Sequence, residues 1–156
     1  MSSAQNSAVG DSLTTYWQTR PGLYVHETFS TQVLPFAHME DSSDIIGCSY
    51  FDLPYSMFDS QIIRTYLGGE VEFKKRVFTP NQIKKFIDAQ WNGEDGSLLT
   101  NGVNVFYAIG AEGAPFVVNV VRENKLCFHR WCVDSWYLCD GARWEVSKRI
   151  FQSAER

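Results

Sequence analysis

The chain has 156 residues and a mass of 17.8 kDa, which matches one domain at ~150 residues per domain. Hydrophobic residues make up 44% and charged residues 21%, which excludes a disordered or collagen-like chain and allows a core without disulfides or metal. The net charge of −4 argues against nucleic acid, because neutralising its many phosphates needs a basic face.

The charge is unevenly spread. Residues 1–69 carry two positive and seven negative side chains, whereas residues 117–156 carry seven positive and five negative. A sum of +2 over the last forty residues fits a solvated face, with a weak anion- or RNA-binding face as the alternative, and nucleic acid is not the expected partner. Residues 1–11 have neither a positive n-region nor an apolar h-region, and the longest purely apolar run, 105–109, is far below the ~20 residues of a membrane span. Four cysteines in a chain without a signal are expected as thiols, and the location expected is cytoplasmic.

In chain order, residues 1–12 are small and polar and read as a flexible tail, leaving 13–156 as a single α+β domain. Residues 13–20 read as a short helix or docking segment in which Tyr16 and Trp17 pack. Pro21-Gly22 is turn chemistry, and 23–29 alternates as a short strand. Residues 30–53 are broken by Pro35, Gly47 and several acids and read as loop with one turn of helix.

The spacing of Met57, Phe58, Ile62, Ile63, Tyr66 and Leu67 predicts a helix over 56–67, capped by Ser56 and ended by Gly68-Gly69. Val71, Phe73, Lys75 and Val77 alternate with charged neighbours, which predicts a half-exposed strand. Thr79-Pro80 then places a hydroxyl cap before a proline at the first helical position, and Ile83, Phe86, Ile87 and Trp91 form the apolar stripe of a helix over 80–91.

From Gly102 the period becomes two. Strands are predicted at 103–109, 116–122, 125–133 and 136–139, with 143–151 as one more strand or a strand broken near Ser147. The links are too short for parallel crossovers, and Asp140-Gly141 is a hairpin signal. The expected fold is therefore α+β. Two or three helices pack on one face of a C-terminal antiparallel β-meander of four to five strands, through Ile62, Ile63, Phe86 and Ile87.

Cys127, Cys132, Cys139 and His129 suggest metal ligands, but the five-residue spacing and strand alternation put Cys127 and Cys132 on opposite faces, so no metal or cofactor is expected. Cys127 and His129 would share a face, and a thiol-dependent hydrolase or transferase with Cys127 as nucleophile and His129 or His38 as base is one alternative. His26 and Glu27 are adjacent in a strand and point apart. The phosphate-loop, dinucleotide, zinc-protease and nucleophile-elbow motifs are absent from the sequence.

Aromatics are 15% of the chain and crowd its end. Trp and Arg are enriched in binding hot spots. The expected function is a non-catalytic binding module for a protein partner, using Arg130, Trp131, Trp136, Arg143 and Trp144. Core packing competes with exposure for each tryptophan, and a small-ligand pocket between sheet and helices is a further alternative.

Overall fold

The computed structural model describes residues 16–37, 41–138 and 143–153. The tail at 1–12, His38, Cys139 and the Asp140-Gly141 turn lie outside the described residues.

The elements in chain order are β1 (Leu23–Val25), α1 (Glu27–Gln32), β2 (Ser49–Asp52), β3 (Met57–Phe58), α2 (Asp59–Tyr66), α3 (Glu70–Phe73), α4 (Pro80–Ala89), β4 (Val103–Ile109), β5 (Pro115–Asn124), β6 (His129–Tyr137), β7 (Arg143–Trp144) and β8 (Arg149–Gln152). A six-stranded sheet runs β1-β6-β5-β4-β8-β2, and β3 pairs with β7 in a separate ribbon.

The fold is α+β, and the antiparallel meander is its centre: β4, β5 and β6 are joined by short turns and pair in long registers. The meander is three strands rather than four or five. It is widened on each side by a parallel neighbour, β1 against β6 and β8 against β4. These additions come from distant segments, so short-link reasoning could not find them.

The two long helices lie on opposite faces of the sheet, which corrects the one-sided arrangement. Ile83, Phe86 and Ile87 of α4 and Phe29 of α1 cover a first face built from Leu23, Phe106, Phe116, Val118, Val120, Trp131, Val133 and Phe151. Ile62 and Ile63 of α2, Phe73 of α3, and Met57 and Trp144 of the β3–β7 ribbon cover Val105, Tyr107, Val117 and Ile150 on the second face. Strand β4 is buried on both faces, which explains its unbroken run Val105, Phe106, Tyr107, Ala108. Each fully buried large apolar side chain contributes ~1.5–3 kcal/mol, so α4 is held mainly by this contact.

Local chemistry sets the helix ends. Thr79 Oγ1 accepts from the Gln82 N–H at 3.1 Å, and Gln82 Oε1 accepts from the Thr79 N–H at 2.9 Å. This reciprocal cap fixes the start of α4 where the Thr-Pro pair placed it. Helix α2 starts later than expected. Phe58 occupies the cap position, Gln61 Oε1 accepts its N–H at 2.9 Å, and Ser56 donates to Glu145 at 3.3 Å. Gly68 at φ +82° lets the chain reverse, and the Gly69 N–H reaches back to the Ile63 carbonyl at 3.0 Å.

The strand expected over Val71–Val77 is not formed. Residues 70–73 are α3, whose Phe73 is buried in the second core while Val71 is exposed. Of the two readings of 143–151, the broken strand is the one formed: Ser147 has φ 71° between β7 and β8. No helix among the described residues is long and apolar enough to cross a membrane.

Candidate functional site

Alternation along β6 decides which of its residues can meet a partner. Trp131, Val133 and Ser135 point to the first face and are buried; Arg130, Cys132, Asp134 and Trp136 point to the second and stay partly exposed. The covering layer of α2, α3 and the β3–β7 ribbon sits over β4, β8 and the Val117–Trp136 end of β5 and β6, leaving β1 and the hairpin end of β5 and β6 half-exposed on the second face.

On this open half Arg130 is held between two rings. Its guanidinium carbon lies 4.8 Å from the Tyr24 ring centroid and 4.7 Å from that of Phe128. Tyr24 is 38% and Phe128 42% exposed. Both rings are within cation–π reach, and each adds apolar surface around a fixed charge. Glu123 faces Arg130 across the β5–β6 register and accepts from its Nε at 3.2 Å. Cys132 and then Arg130 stabilise the Glu123 carboxylate and hold its pKa below the usual glutamate value. Burial, followed by the Glu123 hydrogen bond, pushes the Cys132 thiol up to about 11. At the sheet edge, His26 caps α1, its Nδ1 accepting from the Thr28 N–H at 3.2 Å and lying 3.2 Å from Asp134 Oδ1.

The five residues nominated from sequence divide. Trp131 is fully buried and donates its indole N–H to the Gln90 carbonyl at 2.9 Å, so it is core rather than contact surface. Trp144 is 8% exposed and also belongs to the core, stacked on Trp136 at 5.5 Å. Arg143 is exposed on the outer ribbon, with its guanidinium 5.5 Å from the Phe58 ring. Trp136, Arg143 and Trp144 thus gather over the second core. Arg130 sits six residues from Trp136 along β6, ~20 Å at strand rise, so the five do not form one patch.

Cys127 and His129 are not brought together on one strand. Residues 125–128 form the tight β5–β6 turn, and β6 begins at His129. Cys127 is exposed there, and His129 Nδ1 is engaged with Asn124 Oδ1 at 3.0 Å. No hydrogen bond joins the two side chains, and no cluster of three or more metal-ligating groups occurs among the described residues. Cys132, with its raised pKa, is a poor nucleophile at neutral pH. Phe78, Phe86, Phe106 and Phe151 pack between the sheet and α4 with their rings 4.5–6.1 Å apart.

Sequence reasoning missed Tyr24 and Phe128 as partners of Arg130, and the approach of His26 to Asp134. The Tyr24 and His26 contacts depend on the parallel β1–β6 pairing, which aligns Tyr24 with Cys132 across about a hundred residues of chain, whereas Phe128 is a local neighbour of Arg130. Comparison with protein-family models, curated proteins and solved structures finds no significant match.

Proposed function

We propose that the protein is a non-catalytic interaction module that binds another protein through the open half of its second sheet face. One observation carries this reading: Arg130 is fixed between two half-exposed aromatic rings on a part of the sheet that the second layer leaves uncovered. Such a clamp presents a positive charge and apolar area together, with the arginine already ordered before binding, which lowers the entropy lost on association. Leu126, fully exposed at the adjoining turn, extends the apolar part of the surface. The Glu123 carboxylate orients Arg130 and sets a polar margin.

The free thiols of Cys48, Cys127 and Cys132 suit the cytoplasmic, reducing setting expected from the sequence. The raised thiol pKa of Cys132 supports a structural rather than nucleophilic role.

Photocrosslinking from position 24 in an extract of the source cells tests the reading. The expected result is a discrete protein adduct that Arg130→Glu abolishes. No adduct, or the same adduct from the variant, would overturn it.

A further inference from the structure

At the hairpin end of the sheet, on the first face, lies a second polar site unconnected with the Arg130 clamp. A cavity of about 460 Å³ is lined by Trp91, Gly93, Arg122, Asn124 and His129, among others. That size lies within the ~300–1,000 Å³ usual for small-molecule sites. Arg122, Asn124 and His129 share a face because they alternate along β5 and pair across to β6, where Asn124 opposes His129 and Arg122 opposes Trp131.

Arg122 has two structural contacts: its guanidinium carbon lies 5.4 Å from the Trp131 ring centroid, and one hydrogen bond ties it to the chain after α4. Its Nη1 donates to the Trp91 carbonyl at 3.0 Å, closing the chain just beyond α4. That uses one of five N–H groups. Its Nε is buried and has no hydrogen-bond partner. A buried donor left unsatisfied costs about 1–3 kcal/mol, and native structures hold few. Gly93, at φ +80°, keeps the space beside the guanidinium open; a Cβ there would lie 3.1 Å from Nε. Asn124 turns its oxygen to His129 Nδ1, which leaves its amide N–H groups for another acceptor. Partial burial strips water from the guanidinium and lowers its pKa, so an acceptor beside it would replace hydration already lost. The charge is partly offset by Glu94, which acts on Arg122 through space and accepts the Asn92 N–H at 3.3 Å.

We infer that this cavity binds a small oxyanion, a phosphate or carboxylate group, with Arg122 as the charged anchor and the Asn124 amide, oriented by His129, as the flanking donor. The planar guanidinium suits both groups through paired N–H···O bonds. The Trp91 side chain supplies an apolar wall for whatever carries the anion.

The test is an amide-resolved NMR titration of the full chain with inorganic phosphate in one arm and acetate in the other. The expected result is saturable shifts at Gly93, Asn124 and His129 in at least one arm. Phosphate alone identifies a phosphate site and acetate alone a carboxylate site. Asn124→Asp preserves the acceptor facing His129 and adds a negative charge at an exposed position, so it keeps the fold. It should weaken binding roughly tenfold, which is 1.4 kcal/mol. Arg122→Gln should abolish binding, though it also removes the contact to the Trp91 carbonyl; Asn124→Asp is therefore the deciding variant. Absence of saturable shifts in both arms, or equal affinity in Asn124→Asp, would overturn the inference.

Discussion

Trp144 donates its indole N–H to the carboxylate of Asp59 at 2.7 Å, inside the second core. The same carboxylate oxygen accepts the Tyr107 hydroxyl, also at 2.7 Å. Asp59 is 1% exposed at the first position of α2. One acidic group thus ties α2, β4 and the β3–β7 ribbon together, and it faces the helix N-terminus, where negative charge is favoured. Burial and then Asp59 push the Tyr107 hydroxyl well above its ordinary pKa, so it remains a donor throughout the working range.

Breaking this junction should unfold the second layer. Asp59→Ala leaves two buried donors without this acceptor, and hydrogen bonds to a charged group contribute ~1.5–3 kcal/mol each. A loss of about 3 kcal/mol or more is expected in urea denaturation. Trp144→Phe keeps much of the ring and removes the donor, and should cost about half as much. Equal stability of Asp59→Ala and wild type would show that the junction is not structural.

Trp131 is expected to behave as core. Trp131→Ala removes a fully buried indole and its bond to the Gln90 carbonyl. The expected loss is ~3–5 kcal/mol, read by thermal or urea unfolding. A folded Trp131→Ala variant with near-native stability would contradict the placement.

The cysteines should separate by reactivity. Cys127 is exposed in the β5–β6 turn, whereas Cys132 has its pKa raised to about 11 by burial and by Glu123. At neutral pH little Cys132 thiolate exists, so alkylation of the folded chain should mark Cys127 quickly and Cys132 slowly. Peptide mass spectrometry reads both. Glu123→Gln, which removes the neighbouring negative charge, should speed labelling of Cys132. Faster labelling of Cys132 than Cys127 in the wild type would contradict this.

Acid should loosen the β2 edge. Arg149 donates to both oxygens of Asp52, at 2.8 and 3.1 Å, across the β2–β8 pair. The hydrogen bond to Arg149 holds the Asp52 pKa below its ordinary value. Because the folded-state value is the lower one, the stabilisation is complete above the unfolded pKa of ~3.9 and is lost as pH falls through the folded value. Amide exchange in residues 49–52 should rise below that pH in the wild type and lose this dependence in Asp52→Asn. An acid response unchanged in the variant would assign it elsewhere.

What the sequence shows of this fold is what neighbouring residues decide together. The Thr79-Pro80 start of α4 and the strands at 103–109 and 116–122 are local and appear in the structure, whereas the strands read at 125–133 and 136–139 are one strand, β6, that begins only at His129. The parallel pairings of β1 and β8 and the side of the sheet each helix covers depend on distant segments. Residues 70–77 show how a weak local pattern is overridden: Val71 and Phe73 alternate, yet burying Phe73 against Tyr107 selects a helical turn. In the candidate site, alternation alone already separates Arg130 from Trp131. Only the position of α4 decides that Trp131 takes the buried side. Of the rings that clamp Arg130, Tyr24 is not legible, because it reaches Arg130 through the β1–β6 pairing, while Phe128 is only two residues away in the chain.

The most direct test is the affinity of the crosslinked partner, once purified, for wild type and for Arg130→Ala. The expected result is binding weakened roughly thirtyfold, as for a central arginine hot spot, with the melting temperature unchanged. Equal affinity, or loss of binding only together with loss of the fold, would contradict a recognition surface centred on Arg130.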